Sequence, residues 1–468
     1  MVRRLLVCAG LCLVGVQVEG AEFYVDVVKG SDAGDGSAGR PWRSIQGVFD
    51  AGLVESRRWD GLPYTAQSEL VARNAGAPVR AGDTIWLRSG YHGALSISGY
   101  YNSGNITIAA EEGHRPLLSS VRIRAGAHWT LRGLTVSAEF AESYKRGTLI
   151  DLDSHGWQGP VHDIVVDGCA IRSVADSSAW TAEDWNQRAC NGLQVDGARM
   201  TIRNNRLLNV NFGISVDASD SVVSGNLVEN FAGDGLRGLG DRCTFEYNTV
   251  KNCYDVNRNH DDGFQSWSSG PNGVGSGEVV GVVLRGNTII NYEDPNQPHR
   301  GALQGIGCFD GTFVDWVIEN NVIVTDHWHG ITLGGARNCL VVNNTVLDRN
   351  DTRPGPPWIC IDKHKNGTVP VDCVVRNNLA TAFTSAACVL QEHNLKIVDP
   401  GAFFVDAARC DLHLLPRSAA IDAGSAAGAP ELDRDRIARP QGDGIDIGAY
   451  EWHTDDVLPV ERDAGNPR

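Results

Sequence analysis

Thr201-Ile-Arg-Asn-Asn-Arg-Leu sets a pattern, apolar-x-x-Asn-x-apolar, that the chain then repeats. It returns as Val222-Val-Ser-Gly-Asn-Leu-Val, Thr244-Phe-Glu-Tyr-Asn-Thr-Val, Val283-Leu-Arg-Gly-Asn-Thr-Ile, Val317-Ile-Glu-Asn-Asn-Val-Ile, Val341-Val-Asn-Asn-Thr-Val and Val374-Val-Arg-Asn-Asn-Leu-Ala. Aligned on Asn205, Asn226, Asn248, Asn287, Asn321, Asn344 and Asn378, the blocks step by 21, 22, 39, 34, 23 and 34 residues. A base step near 22 with loop insertions accounts for every interval. Between the blocks runs a second short strand, Gly192-Leu-Gln-Val, Gly213-Ile-Ser-Val, Gly235-Leu-Arg-Gly, Gly263-Phe-Gln-Ser and Gly330-Ile-Thr-Leu. Two or three short strands per turn, with side chains alternating in and out, predict an all-β protein, a single-stranded right-handed parallel β-helix. The recurring Asn turns the chain at a corner and bonds its equivalent on the next coil. A leucine-rich repeat needs Leu at fixed positions, and a β-propeller needs a longer period; neither is present.

Working outward, Trp42, Ile45, Phe49 and Leu53 suit one face of an amphipathic helix that caps the open apolar end of the coil. Ala81-Gly-Asp-Thr-Ile-Trp-Leu-Arg starts the first coils. The predicted domain covers residues 21–452, followed by a polar tail, 453–468. Before it, Arg3, Arg4, the apolar run Leu5 to Val16 and small residues at Gly20 and Ala21 read as a signal peptide over residues 1–20. A secreted protein, extracellular or periplasmic, is therefore expected. No later apolar run reaches membrane-spanning length. With 54 Gly, 18 Pro and no Gly-X-Y period in 468 residues, the composition argues against helix bundles, and collagen is excluded. The formal net charge of −16 argues against nucleic acid or an anionic membrane as partner, and a monomer is expected. An acidic polymer would bind only through local Lys or Arg or a bridging cation. Ten of the twelve Cys lie beyond the signal. Cys243/Cys253 and Cys360/Cys373 are near enough to pair as disulfides; the alternative is thiols stacked in the core.

Insertions break the 22-residue step mainly between Asn248 and Asn378, where long loops build a groove wall on the coil. The reactive side chains crowd there: Asp234, Arg237, Asn259-His-Asp-Asp-Gly-Phe-Gln, Arg300, His327-Trp-His and Asp362-Lys-His-Lys. Asp262 precedes Gly263 as Asp234 precedes Gly235, one coil earlier, and Asp261 adjoins it. With coils about 4.8 Å apart, three carboxylates converge, which demands a cation such as Ca2+, a shared proton or a Lys/Arg partner. Trp267 and Trp328 offer faces on which sugar rings stack, and Arg237, outward on its strand, suits a substrate carboxylate.

Phe23-Tyr-Val-Asp, the Gly-Asp-Thr-Ile element and Ile445-Asp-Ile-Gly-Ala-Tyr-Glu resemble those of secreted bacterial β-helix proteins, a likeness shared across several activities. Asp234-Gly-Leu followed by Asn259-His-Asp-Asp-Gly-Phe-Gln-Ser-Trp is similar to the paired motifs of family 9 polysaccharide lyases. That resemblance implies a secreted enzyme that cleaves an acidic, uronic acid-containing polysaccharide by β-elimination. It also implies that Asp234, Asp261 and Asp262 are ligands of a catalytic Ca2+. Gln265 stands where the family has a further Asp, which weakens the site. Thr332, in His329-Gly-Ile-Thr-Leu-Gly-Gly, stands where the family has its Lys base. The base does not carry over, and His260, Arg300, His329, Lys363 and Lys365 are the candidates for it. C5 epimerisation shares the first step of this chemistry. A second resemblance is to polygalacturonase-type hydrolases, through Asp234, Asp261-Asp262, His329-Gly330 and the Asp362-Lys363 region in that order. There two carboxylates serve as acid and base without metal. A β-helix that only binds carbohydrate is the non-catalytic alternative.

Overall fold

The computed structural model describes residues 20–453, so the expected signal peptide and polar tail lie, but for Gly20 and His453, outside the described residues. The chain winds as a parallel β-helix with three strands per coil. In one coil, Asn191–Ala198 lies on sheet 1, Thr201–Arg203 on sheet 2 and Arg206–Val210 on sheet 3; Ile214–Ser219 then begins the next coil on sheet 1. The first residues of the repeat blocks fall in register, Thr201 with Val222, Val222 with Thr244, Thr244 with Val283 and Val283 with Val317. Behind them Ile202, Val223, Phe245, Leu284, Ile318, Val341 and Val375 stack in the core at 0–1% exposure.

The corners explain the sequence pattern. The residue before each repeated Asn (Asn204, Gly225, Tyr247, Gly286, Asn320, Asn343 and Asn377) has φ between 53° and 63°, the left-handed region that Gly and Asn tolerate. The Asn that follows is buried and bonds along the axis. Asn226 Oδ1 accepts from both the backbone N–H (3.0 Å) and the Nδ2 (2.9 Å) of Asn205, and the pattern repeats through Asn248, Asn287, Asn321, Asn344 and Asn378 to Asn394. Asn394 extends the column by one coil beyond the seven blocks. At the corner entering sheet 1, Gly192, Gly213, Gly235, Gly263, Gly305 and Gly330 stack. A Cβ on Gly213 would stand 2.2 Å from the carbonyl oxygen of Gly235, and one on Gly305 2.3 Å from that of Gly330, so only Gly lets the coils close here.

The N-terminal helix is short, Ile45–Asp50, capped by Ser44, and buries Ile45, Val48 and Phe49; Trp42 is buried just before it and Leu53 packs after it. At the other end the coils stop at Leu395–Lys396. Beyond them Phe403, Phe404, Leu412, Leu414, Ile447 and Ala449 fold back over Val322, Val324, Leu347 and Leu379, making a second apolar cluster. The expected disulfides are corrected. All ten described Cys are thiols. Cys243 Sγ donates to Ala218 O and Cys253 Sγ to Asp261, while Cys373 contacts Cys339 rather than Cys360.

One inserted segment was not foreseen. Residues 173–190 leave the coil and carry a helix, Ala182–Arg188, with a capping box from Thr181 and Asp184. Trp185 of this helix stacks on Tyr254 at 4.5 Å, and Asn186 bonds Val256 O and Asn257 Nδ2. Tyr254, an aromatic of the groove segment, thus anchors the loop that leads to His260.

Candidate functional site

The corner column entering sheet 1 places the site. Gly213 N–H donates to Asp234 O and Gly235 N–H to Asp262 O, so Asp234 and Asp262 occupy equivalent places on adjacent coils. The Asp262 N–H also donates to Asp234 Oδ1 at 3.1 Å. Asp234, Asp261 and Asp262 retain only 2, 4 and 0% of their surface. They form a buried foundation beneath the surface of the coil.

Each carboxylate takes a different partner. Arg237 Nε donates to Asp234 Oδ2 at 2.5 Å. Asp262 Oδ2 lies 2.9 Å from His260 Nδ1 and accepts from Gln265 Nε2 at 3.1 Å. Asp261 turns away to the thiol of Cys253, 3.6 Å off. Asp262 Oδ1, Asp261 Oδ1 and Gln304 Oε1 are buried without a donor. Asp262 Oδ1 and Gln304 Oε1 both lie over Gly307, 2.2 and 2.9 Å from where its Cβ would stand. Burial pushes Asp262 up to about 8 and Asp261 up to about 7. The hydrogen bond that protonated His260 donates to the Asp262 carboxylate raises His260 above the usual imidazole range. His260 and Asp262 therefore titrate as one interacting pair. Asp234 is raised by its burial, against the pull of Arg237.

This arrangement tests the calcium expectation. Calcium takes six to eight oxygens at 2.3–2.6 Å. Here Arg237 holds one oxygen of Asp234, His260 and Gln265 hold one of Asp262, and Asp261 points elsewhere. Among the described residues, the group whose metal-binding atoms do converge is His128, His162 and Asp163, on other coils. The three aspartates do not fit calcium as a ready cradle. Of the three remedies for crowded carboxylates, the geometry shows a protein cation, Arg237 on Asp234.

Around this foundation lies a groove. The Arg237 guanidinium stacks 3.7 Å over Phe212 and lies 5.3 Å from the Trp267 ring. Together with Asn191, Gln194, Ser215 and the carboxylates Asp196 and Asp217 they line a cleft of about 230 Å3. Phe212 was not singled out from sequence; its place directly before Gly213, equivalent to Asp234, was the available signal. Gln265 is opposite Arg237 in register, and Gly307 and Thr332 follow on the next two coils. Thr332 is buried, its Oγ1 3.0 Å from both His329 Nδ1 and Trp358 Nε1. His329 packs between Phe309 and Trp358, and burial pushes it down to about 4. Trp328 is exposed, nearly parallel to Trp358 at 6.4 Å.

Three expected site residues are not gathered here. Arg300 lies over Tyr292 in a separate cleft with Asp326 and Arg353, drawn there by the turn after sheet 3. Lys365 Nζ is bound by Asp310 at 2.6 Å. Lys363 follows the strand Trp358–Asp362, its backbone N–H tied to Asp362.

A family model described as a right-handed β-helix region matches residues 191–353. Among curated proteins, none matches the sequence. Among solved structures, pectate lyase Pel9A is 15% identical, over 92% of this chain and 96% of its own, with a TM-score of 0.47. XylC in complex with xylose is 11% identical, over 92% and 98%, with a TM-score of 0.46. An alginate lyase from Paenibacillus sp. is 14% identical, over 63% and 92%, with a TM-score of 0.35. The matched segment holds Asp234, Arg237, His260, Asp261 and Asp262, and the coils that carry the site are a right-handed parallel β-helix.

Proposed function

We propose that the protein is a secreted polysaccharide lyase that cleaves a uronic acid-containing polymer by β-elimination. The observation that carries this reading is the His260–Asp262 pair beside Arg237. Asp262, fully buried, orients an imidazole that is itself largely exposed to the groove. In β-elimination a base removes the C5 proton, the C5–H electron pair forms the C4–C5 double bond, and the C4–O bond breaks. His260 is the base, its basicity raised by Asp262. The departing oxygen takes a proton, for which protonated His260 is the group at hand. C5 is acid enough only if the neighbouring carboxylate is neutralised. Arg237 does this: its recorded hydrogen bond to Asp234 uses Nε, which leaves two terminal nitrogens for a bidentate carboxylate. Arg237 thus takes the role that the family resemblance gives to calcium. His329, pushed down to about 4, is too weak a base at neutral pH.

Hydrolysis would need Asp262 to reach a glycosidic oxygen, and its burial opposes that. The test is incubation with alginate, polygalacturonate and hyaluronan, with and without chelator. Ultraviolet absorbance from the new double bond, equal in both, is expected. Reducing ends without that absorbance would move the assignment to hydrolysis. Loss of turnover in chelator, restored by Ca2+, would return the neutralising role to the metal.

A further inference from the structure

The corner that carries the site continues into a second cleft. Following the backbone bonds back from Asp262, Gly235 N–H reaches Asp262 O, Gly213 N–H Asp234 O, Gly192 N–H Phe212 O and Asn191 N–H Gly147 O. Gly147 is therefore four coils from Asp262, about 19 Å at 4.8 Å per coil. It lines a cleft of about 620 Å3 with Tyr91, Ser119, Ser120, Glu142, Lys145 and Arg146. The Phe212–Trp267 cleft lies between the two.

Two cations, Lys145 and Arg146, line this cleft. Most arginines on the coil faces are neutralised by a carboxylate one coil away, as in Arg122–Asp151, Arg124–Asp153, Arg203–Asp167 and Arg206–Glu229. Among the described residues, neither Lys145 nor Arg146 stands in an ion pair, in a chain of net charge −16. Their loop is nonetheless fixed. Arg146 Nε donates to Ala189 O at 3.0 Å and Tyr144 Oη to Arg188 O at 2.6 Å. Both anchors belong to the inserted segment 173–190, which also braces the loop before His260. One rigid insertion therefore sets the spacing between the two ends of the groove.

We infer that the Lys145–Arg146 cleft is a distal subsite for a carboxylate or sulfate group of the same polysaccharide chain whose uronate is held at Arg237. The inference rests on the lyase reading. The polymer then lies along the coil axis, and the enzyme favours chains long enough to span both clefts.

The test compares the parent with the double variant Lys145→Glu/Arg146→Glu on whichever of alginate, polygalacturonate or hyaluronan is turned over. The ratio of kcat/KM on polymer to that on a tetrasaccharide of the same chain should fall about fivefold to tenfold. In the parent, raising salt should lower the same ratio. A ratio unmoved by the double substitution overturns the subsite while leaving the lyase reading intact. Should none of the polymers be cleaved, the lyase reading falls, and the subsite is tested alone by native electrophoresis through gels containing alginate, polygalacturonate or chondroitin sulfate. Retardation of the parent that the double variant loses supports the subsite; equal migration overturns it.

Discussion

At the residue scale, the site is built on the cost of burying charge. A carboxylate taken out of water needs a cation or a proton; Asp234 takes Arg237, and Asp262, pushed up by burial, titrates together with His260. This makes the proposed base unusual in its pH behaviour. His260 must be unprotonated to accept the C5 proton, and Asp262 holds it above its ordinary value. Activity should therefore rise with pH through a limb above the usual imidazole range and level off on the alkaline side. Asp262→Asn removes the acceptor of that hydrogen bond. It should lower kcat by about 10²-fold or more and move the limb to lower pH. A purely structural role for Asp262 would lower the plateau and leave the limb in place, and that outcome would remove His260 from the mechanism. Stability should respond in the opposite sense. A carboxyl raised to about 8 in the folded protein but titrating near 4 when unfolded makes the fold lose stability as pH rises between those values. The Asn variant lacks that loss, so its melting temperature relative to the parent should climb with pH.

At the scale of elements, the inserted segment 173–190 braces the loop that leads to His260. The strand Asp262–Trp267 is fixed by its neighbours on both sides, whereas the loop before it, residues 254–261, is held by backbone bonds at its ends, Tyr254 N–H to Phe231 O, Asp255 N–H to His299 O and Gln304 N–H to Asp261 O. Trp185 braces it from a satellite cluster of Val174, Trp180, Ala189 and Ala232, separate from the main core. Trp185→Ala should consequently act locally. Removing a buried Trp costs about 3–5 kcal/mol where the structure cannot collapse, and here the loss falls on the insertion and the His260 loop. Hydrogen exchange across residues 254–261 should speed up and kcat should drop about tenfold, because a misplaced base loses most of its advantage. Trp316→Ala, inside the coil at 0% exposure, should instead lower the unfolding midpoint of the whole molecule. Equal effects of the two substitutions on global unfolding would contradict the division between coil and brace.

At the scale of the whole molecule, the fold was legible in sequence because a repeat writes the same physics many times. Each Asn of the column and each Gly of the corner answers one local demand, a left-handed turn or a close approach of coils, and seven or more copies make the period plain. The site has no such redundancy. Asp234 and Asp262 were readable from their place before Gly, and Asp261 from adjoining Asp262, but not that Asp261 would turn to Cys253, nor that Arg237 would settle on Asp234. Those outcomes depend on rotamers and on neighbours supplied by other coils. The insertion 173–190 was missed because it lies before the first repeat block, where no interval was available to reveal extra length. The Asn column also predicts how the molecule comes apart. Asn287 Oδ1 accepts from Asn248 N and Nδ2 at 3.1 and 3.0 Å, and its Nδ2 donates to Phe245 O at 2.8 Å. Asn394 makes the same bonds at the end of the column, to Asn378 and Val375, in partly exposed surroundings. Replacing either by Ala strands the same three groups, but only at the end can water replace the lost partner. Asn287→Ala should cost about 3–5 kcal/mol and Asn394→Ala about 1 kcal/mol in denaturant unfolding. Because stacked coils touch only their neighbours, the central lesion should also reduce the slope of the transition, as the halves on either side unfold less in concert. Equal losses at the two positions would mean that the column follows the packing of the coils and does not hold them together.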